Sequence, residues 1–163
     1  MTWIKPSFLW MMYRCGWATK PGQEHVLAVR LRRDGFEWAL RHSCLSHYDR
    51  SIHADRETWL ETRHLPVRLQ WDPERDLNLQ QLPYRSLQIG LSGEAVRRYL
   101  ADWIVGIDDI TAHVRTVHDL VTAGRLDDAR QLLPAETPYP LPPDLAARIG
   151  ADAHAIESSQ DHL

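Results

Sequence analysis

A glutamine and a glutamate lie near the two ends of the glycine-containing segment LQIGLSGE, residues 87–94. Gln88 and Glu94 are side chains that can orient a ribose hydroxyl, and a carboxylate there can stabilise positive charge at the anomeric carbon. Gly90 and Gly93 allow a ligand to approach the backbone closely. The segment therefore predicts Gln88 and Glu94 as catalytic residues. The alternative for Glu94 is a first-turn carboxylate that interacts with the helix dipole.

A second set of candidate residues mixes cations with aromatic rings near the N-terminus. A cation can hold a phosphate while a neighbouring ring stacks on a base, and the backbone N–H groups of the TKPGQ turn add anion-binding capacity. The pattern predicts a cofactor-binding cluster, with Lys5 beside it: Arg14, Trp17, Lys20 and Gln23. The alternative is an aromatic core surrounded by cations whose stems cover apolar surface.

A third set lies on the outer faces of three predicted strands: Arg30, Arg32, Arg68, Gln70 and Gln88. If the strands are neighbours, these side chains form a positive, amide-rich floor suited to a nucleotide or RNA backbone. The alternative is a solvated face of a half-buried sheet.

The HSCLSH segment and a residue beyond it supply side chains that zinc prefers: His42, Cys44, His47 and His53. Their spacing matches none of the common zinc-binding patterns, and only one cysteine takes part. We therefore predict no metal site.

Hydrophobic periodicity predicts the elements that hold these residues. Strands are expected over residues 1–4, 25–32, 66–72, 84–91 and 104–107, and helices over 7–14, 36–43 and 56–65, with two more after Ser92 and Asp109 and a short one ending at Pro134. Residues 43–55 are expected to be a loop, WDPERD a turn, and PAETPYPLPP an extended arm. The connections are too short for repeated crossover helices. The three alternating strands are expected to pair in one sheet, whose buried face carries Leu27, Val29, Leu31, Val67, Leu69, Trp71, Leu87 and Ile89. The prediction is a single α+β domain, residues 1–143, with a mostly antiparallel or mixed sheet, followed by a polar tail over 144–163.

Bulk composition narrows the classes of function. The 163 residues suit one domain, and a net charge of −3 does not favour nucleic-acid binding. No apolar run is long enough to span a bilayer, and the N-terminus lacks the form of a signal peptide. With only two cysteines, Cys15 and Cys44, we expect free thiols, a cytoplasmic location and no membrane partner.

Four long segments carry a family resemblance: MTWIKPSFLWMMYRCGWATKPGQEHVLAVRL, WDPERDL, PYRSLQIGLSGEAVRRY and PYPLP. They resemble a bacterial and fungal family known as domain of unknown function 4291, over roughly residues 1–143. Members of that family start some tens of residues earlier, so the resemblance implies that an initial strand and helix precede this chain's first motif. The uncovered aromatic run around Trp3, Phe8, Trp10, Met11 and Trp17 would then be exposed and would promote self-association.

The family's opening elements also resemble the layout of the ADP-ribosyltransferase superfamily. Those enzymes place a polar residue on the first strand, an aromatic or hydroxyl residue on a following element, and a glutamate near a later strand. The resemblance implies a nucleotide-handling transferase that uses NAD. The alternatives are a non-catalytic RNA- or nucleotide-binding module and a degenerate member that folds only with a partner.

Overall fold

The computed structural model describes residues 1–151 and contains two sheets. The strands are β1 (Thr2–Ile4), β2 (Leu27–Leu31), β3 (Ser43–Leu45), β4 (Val67–Arg75), β5 (Gln81–Leu91) and β6 (Ile104–Asp109). The larger sheet has the order β1-β5-β4-β3, with β3 parallel to β4 and the other pairs antiparallel. This confirms the predicted α+β fold with a mixed sheet.

Seven α-helices surround these sheets in the described part of the chain. They are α1 (Phe8–Cys15), α2 (Arg33–Arg41), α3 (Arg56–Glu61), α4 (Gly93–Arg98), α5 (Thr111–Thr122), α6 (Leu126–Gln131) and α7 (Pro143–Ile149). Helix α1 follows directly from its sequence. Ser7 caps its start by accepting a hydrogen bond from the Trp10 N–H at 3.1 Å, and Gly16 ends it in the left-handed conformation with φ 59°.

The pairing of the three alternating strands was predicted only in part. β4 and β5 form a long hairpin in which Leu69 pairs with Ile89 and Trp71 with Leu87. β2 instead pairs with β6 in a separate two-stranded sheet, so the expectation of one shared sheet is wrong. Leu27, expected to be buried, is 54% exposed. Alternation specifies which side chains share a face of a strand, but it does not specify the partner strand.

Three local predictions are also corrected. WDPERD is not a turn, because β4 continues to Arg75 through a register shift beside Pro73, where a missing N–H is tolerated. The expected loop after residue 43 begins with the buried strand β3. The tail expected from residue 144 instead starts with α7, which buries Leu145 and Ile149. The remainder of that tail, residues 152–163, lies outside the described residues.

Two hydrophobic cores hold the elements together. The first lies between the larger sheet and α2, α4 and α7, and the second lies among α1, α5 and α6. Most of the N-terminal aromatic run is buried in this structure: Phe8 and Trp17 belong to the second core and are 9% and 4% exposed, and Trp10, which contacts Lys5 and Tyr13, is 7% exposed. The predicted exposure of this run is therefore wrong, although Trp3 remains 42% exposed.

Candidate functional site

A groove of about 720 Å³ runs between the start of α1, the outer part of β5 and the proline-rich arm that precedes α7. Its volume is within the range of small-molecule sites. The walls include the aromatic side chains Phe36, Trp71 and Tyr139, and the polar lining consists of Ser7, Glu74, Arg75, Tyr84, Arg85, Ser86, Thr137 and Glu136.

The groove exists because β1 is short. β1 pairs with β5 only at Ile89, Gly90 and Leu91, and the chain then turns through Pro6 into α1. The edge of β5 before Ile89 therefore has no neighbouring strand among the described residues on that side. The N-terminus of α1 faces this edge, and the extended arm completes the opposite wall.

Glu74 is the best-positioned acidic side chain in the groove. It lies on β4 and is only 7% exposed. Its Oε1 accepts hydrogen bonds from the Ser7 hydroxyl at 2.7 Å and from the Arg75 N–H at 2.8 Å. Its Oε2 accepts no hydrogen bond from the described residues and is not fully buried. Glu74 can therefore be held through one oxygen while the other contacts a ligand.

A second carboxyl group comes from the arm. Glu136 Oε1 accepts a hydrogen bond from the Phe8 N–H at 2.9 Å, at the start of α1. Partial desolvation raises the pKa of Glu136; the Phe8 N–H opposes this change, and the Glu74 carboxylate adds to it. Burial and the same two carboxyl groups also raise the pKa of Tyr84. The groove thus brings together two carboxyl groups that differ in environment.

Two buried side-chain atoms in the described part of the chain have no hydrogen-bond partner: Arg75 Nε and Ser86 Oγ. Both residues line the groove. Buried polar atoms are normally paired, so these two atoms are exceptions among the described residues, and their burial keeps them from direct contact with a molecule in the groove. The Arg75 guanidinium is also fixed in place, since it lies 3.7 Å from the centre of the Tyr13 ring.

A buried ion pair supports the site from beneath. Lys5 Nζ donates to Asp72 Oδ2 at 3.1 Å and to the Ser86 carbonyl at 3.2 Å, with none of its side chain exposed. It also lies 4.1 Å from the Trp10 ring centre. Burial lowers the pKa of Lys5, and Asp72 opposes that change. Lys5 thereby ties the end of β1 to both strands of the hairpin that carry groove residues.

Comparison with known protein families identifies the family of this chain. The model of the family described as domain of unknown function (DUF4291) matches residues 1–139. The chain belongs to the DUF4291 family. No curated protein and no solved structure matches it.

The catalytic residues expected from the sequence lie away from the groove of this DUF4291 domain. Glu94 is exposed in the first turn of α4, where it pairs with Arg98 at 2.7 Å. Gln88 pairs with Gln70 on the hairpin. Neither Gln88 nor Glu94 lines the groove. Glu94 therefore has the environment of a surface helix carboxylate, the alternative that its position in the sequence left open.

Three of the four residues of the expected cofactor-binding cluster, Arg14, Lys20 and Gln23, lie together on the surface, whereas Trp17 is buried. Trp17 belongs to the second core and stacks on His118, with ring centres 5.3 Å apart, so that a ligand ring has no access to it. Arg14 donates to Gln23 on the surface at 3.1 Å. Lys20 Nζ donates to the carbonyls of Tyr13 and Arg14 and so caps the end of α1. Arg14, Lys20 and Gln23 thus hold the turn after α1 together, and the Trp17 ring does not join them at the surface.

The predicted positive sheet floor is absent from the described residues. Arg30 lies on the separate sheet and pairs with Asp108, and Arg32 lies at the start of α2 and pairs with Asp34. Arg68 donates to nearby backbone carbonyls. The described residues also contain no cluster of histidine, cysteine, aspartate or glutamate suited to a metal ion. Within residues 1–151, no helix is both long and apolar enough to cross a bilayer.

The sequence contains a signal for Glu74, a groove residue that was not predicted to be functional. Glu74 lies in the WDPERDL segment, which carried the family resemblance but was interpreted as a turn. A glutamate that is buried on a strand requires polar partners. Ser7 supplies one, and the helix start that it caps places it there.

The raised pKa of Glu136 predicts how stability depends on pH. The folded chain holds a proton on Glu136 more tightly than the unfolded chain, whose carboxyl titrates near 4.5. This group's contribution to stability is therefore fully present below pH 4.5 and is lost as the pH rises through the folded-state pKa. The Glu136→Gln side chain stays neutral at every pH. We therefore expect this variant to lose less stability than wild type as the pH rises from 4.5 through the folded-state pKa of Glu136. Urea unfolding at a series of pH values measures the difference, and parallel curves for the two proteins would contradict it.

Proposed function

We propose that this DUF4291 domain is a nucleotide-handling transferase of the ADP-ribosyltransferase type that uses NAD as its substrate. The observation that carries the proposal is the 2.7 Å hydrogen bond from the Ser7 hydroxyl to Glu74 on the groove floor. A hydroxyl residue on an early element beside a glutamate on a later strand is the layout that the sequence resemblance implied. In this proposal Ser7 and Glu74 replace Gln88 and Glu94 as the residues that act on the ribose.

The lining of the groove fits the parts of a dinucleotide. A carboxylate with one unengaged oxygen suits a ribose hydroxyl and, during transfer, the positive charge at the anomeric carbon. The aromatic walls suit a flat heterocycle, and the guanidinium of Arg85 at the groove suits a phosphate.

The competing proposal, a non-catalytic RNA- or nucleotide-binding module, has less support. The cationic sheet floor on which that proposal depended is dispersed, since Arg30 and Arg32 pair with Asp108 and Asp34. A free nucleotide remains compatible with the groove, so turnover decides between the two proposals.

The direct test is to incubate the chain with NAD, to measure nicotinamide by chromatography, and to measure NAD binding by calorimetry. We expect NAD to bind and nicotinamide to be released as the ADP-ribosyl group is transferred to water or an added acceptor. Binding without release would support the module, and neither binding nor release would overturn the use of NAD.

We also propose a cytoplasmic location. Cys15 and Cys44 are both buried free thiols, which suits a reducing compartment.

A further inference from the structure

Glu136 is the acidic groove residue that the proposed function leaves without a task. It lies on the arm, at the Phe8 N–H beside the Ser7 that holds Glu74, and the residue is exposed to solvent, whereas Glu74 is 7% exposed on the floor. An acceptor that arrives after NAD has filled the floor must approach from the solvent side. Glu136 therefore lies where the acceptor enters.

Resting on the proposed function, we propose that Glu136 is a further catalytic residue, the base that takes the proton from a hydroxyl-bearing acceptor, water included. In the reaction the bond between the ribose anomeric carbon and the nicotinamide nitrogen breaks, and its electron pair leaves with nicotinamide. The acceptor oxygen forms the new bond to that carbon, and its proton moves to Glu136. Release of this proton to solvent restores the carboxylate.

The contacts of Glu136 suit this role. The Phe8 N–H holds its Oε1 at 2.9 Å, and its Oε2 has no hydrogen-bond partner among the described residues. Such a carboxyl group is oriented but still has one oxygen available for a proton. Geometry of this kind is what a general base requires, since the base must already point at the proton it accepts.

The arm that carries Glu136 is held on both sides of the groove. Beyond Glu136, the Tyr139 hydroxyl donates to Glu37 on α2 at 3.1 Å, and the Tyr139 ring packs on Phe36 with ring centres 5.1 Å apart. Leu133, before Glu136, packs against the second core. Prolines between these anchors restrict the backbone further. Glu136 thus belongs to a fixed wall rather than to a freely moving loop.

The charged groups around the groove make Glu136 a stronger base than an ordinary glutamate. Glu74 and Tyr84 lie on the hairpin strands, Arg75 and Arg85 lie beside them, and the α1 start contributes N–H groups. Desolvation and Glu74 raise the pKa of Glu136 despite the Phe8 N–H. A carboxyl group shifted upward is a stronger base than an ordinary glutamate.

The test compares wild type, Glu136→Gln and Glu74→Gln in NAD hydrolysis from pH 4 to 9, with azide as a second acceptor. General-base catalysis contributes about 10²- to 10⁴-fold, so we expect Glu136→Gln to lose kcat by about that factor with KM nearly unchanged, and to lose the acidic limb of its pH profile. Azide carries no proton to remove. Azide should therefore restore nicotinamide release in Glu136→Gln but not in Glu74→Gln. The second product of that rescued reaction is the glycosyl azide.

Glu37→Gln is the control for the position of the arm, since it weakens the Tyr139 anchor without touching the reacting groups. It should keep the wild-type pH profile. If Glu136→Gln matches wild type at every pH, or if azide fails to rescue it, the role of Glu136 is overturned while the proposed function stands. If wild type neither binds nor cleaves NAD, the proposed function is overturned and the role of Glu136 with it.

Discussion

Glu74→Gln is expected to reduce nicotinamide release from NAD by at least about 100-fold, the usual cost of removing one preorganised electrostatic contact to a transition state. The amide keeps the shape of the side chain, and its oxygen still accepts from the Ser7 hydroxyl and the Arg75 N–H. The change therefore removes the charge that would face the anomeric carbon. We expect the free energy of unfolding to change by only about 1 kcal/mol.

Glu94→Gln is the matched control for that measurement. It is the same chemical change on an exposed helix carboxylate, whose pairing with Arg98 is worth about 0–1 kcal/mol. It should leave both turnover and stability near wild type. Equal loss of turnover in the two variants would remove Glu74 from the site, and loss confined to Glu94→Gln would restore the assignment made from the sequence.

Lys5→Met should be the most destabilising single change near the groove. The Lys5 ammonium pairs with Asp72, which is itself only 9% exposed. Without Lys5, Asp72 keeps the Gln70 side-chain amide as its hydrogen-bond donor among the described residues. Breaking a buried ion pair in this way typically costs about 3–5 kcal/mol, because one charge is left without its partner. Stabilities of whole domains are about 5–15 kcal/mol. Chemical denaturation of the two proteins at pH 7 measures the loss.

A second variant separates the unpaired charge from the lost packing. Burial lowers the pKa of Lys5 in spite of Asp72, which indicates that desolvation outweighs the attraction within the pair. Lys5→Met combined with Asp72→Asn removes both charges, so it should regain much of the stability that Lys5→Met loses. If Lys5→Met alone costs less than about 1 kcal/mol, the pair does not hold the hairpin as described.

The sequence predicted the elements better than their assembly. Ser7 and Gly16 set the ends of α1 through local hydrogen bonding and backbone conformation, which neighbouring residues determine. The alternation around Leu69 and Ile89 likewise identified the hairpin strands. The partner of β2 could not be predicted, because β6 is more than seventy residues away and nothing in the alternation of β2 distinguishes it from the other strands.

The candidate site was harder to predict for a similar reason. Ser7, Glu74 and Glu136 come from a helix cap, a strand and an extended arm, and they meet only through long-range packing. Pro73 made a turn the local expectation for the WDPERD segment, whereas pairing with β5 extends the strand through it. Tertiary contacts thus bury Glu74 and leave Glu94 exposed, a difference that the local sequence did not predict.

The proline-rich arm joins the two halves of the hydrophobic interior. Leu133 at one end packs against the core built on α1, α5 and α6, and Leu141 at the other packs against the core built on the larger sheet. A molecule seated in the groove would touch the segment between these two attachments. Its binding energy would then oppose separation of the halves, so that occupancy makes unfolding more cooperative and lowers the rate at which backbone amides exchange in both cores together.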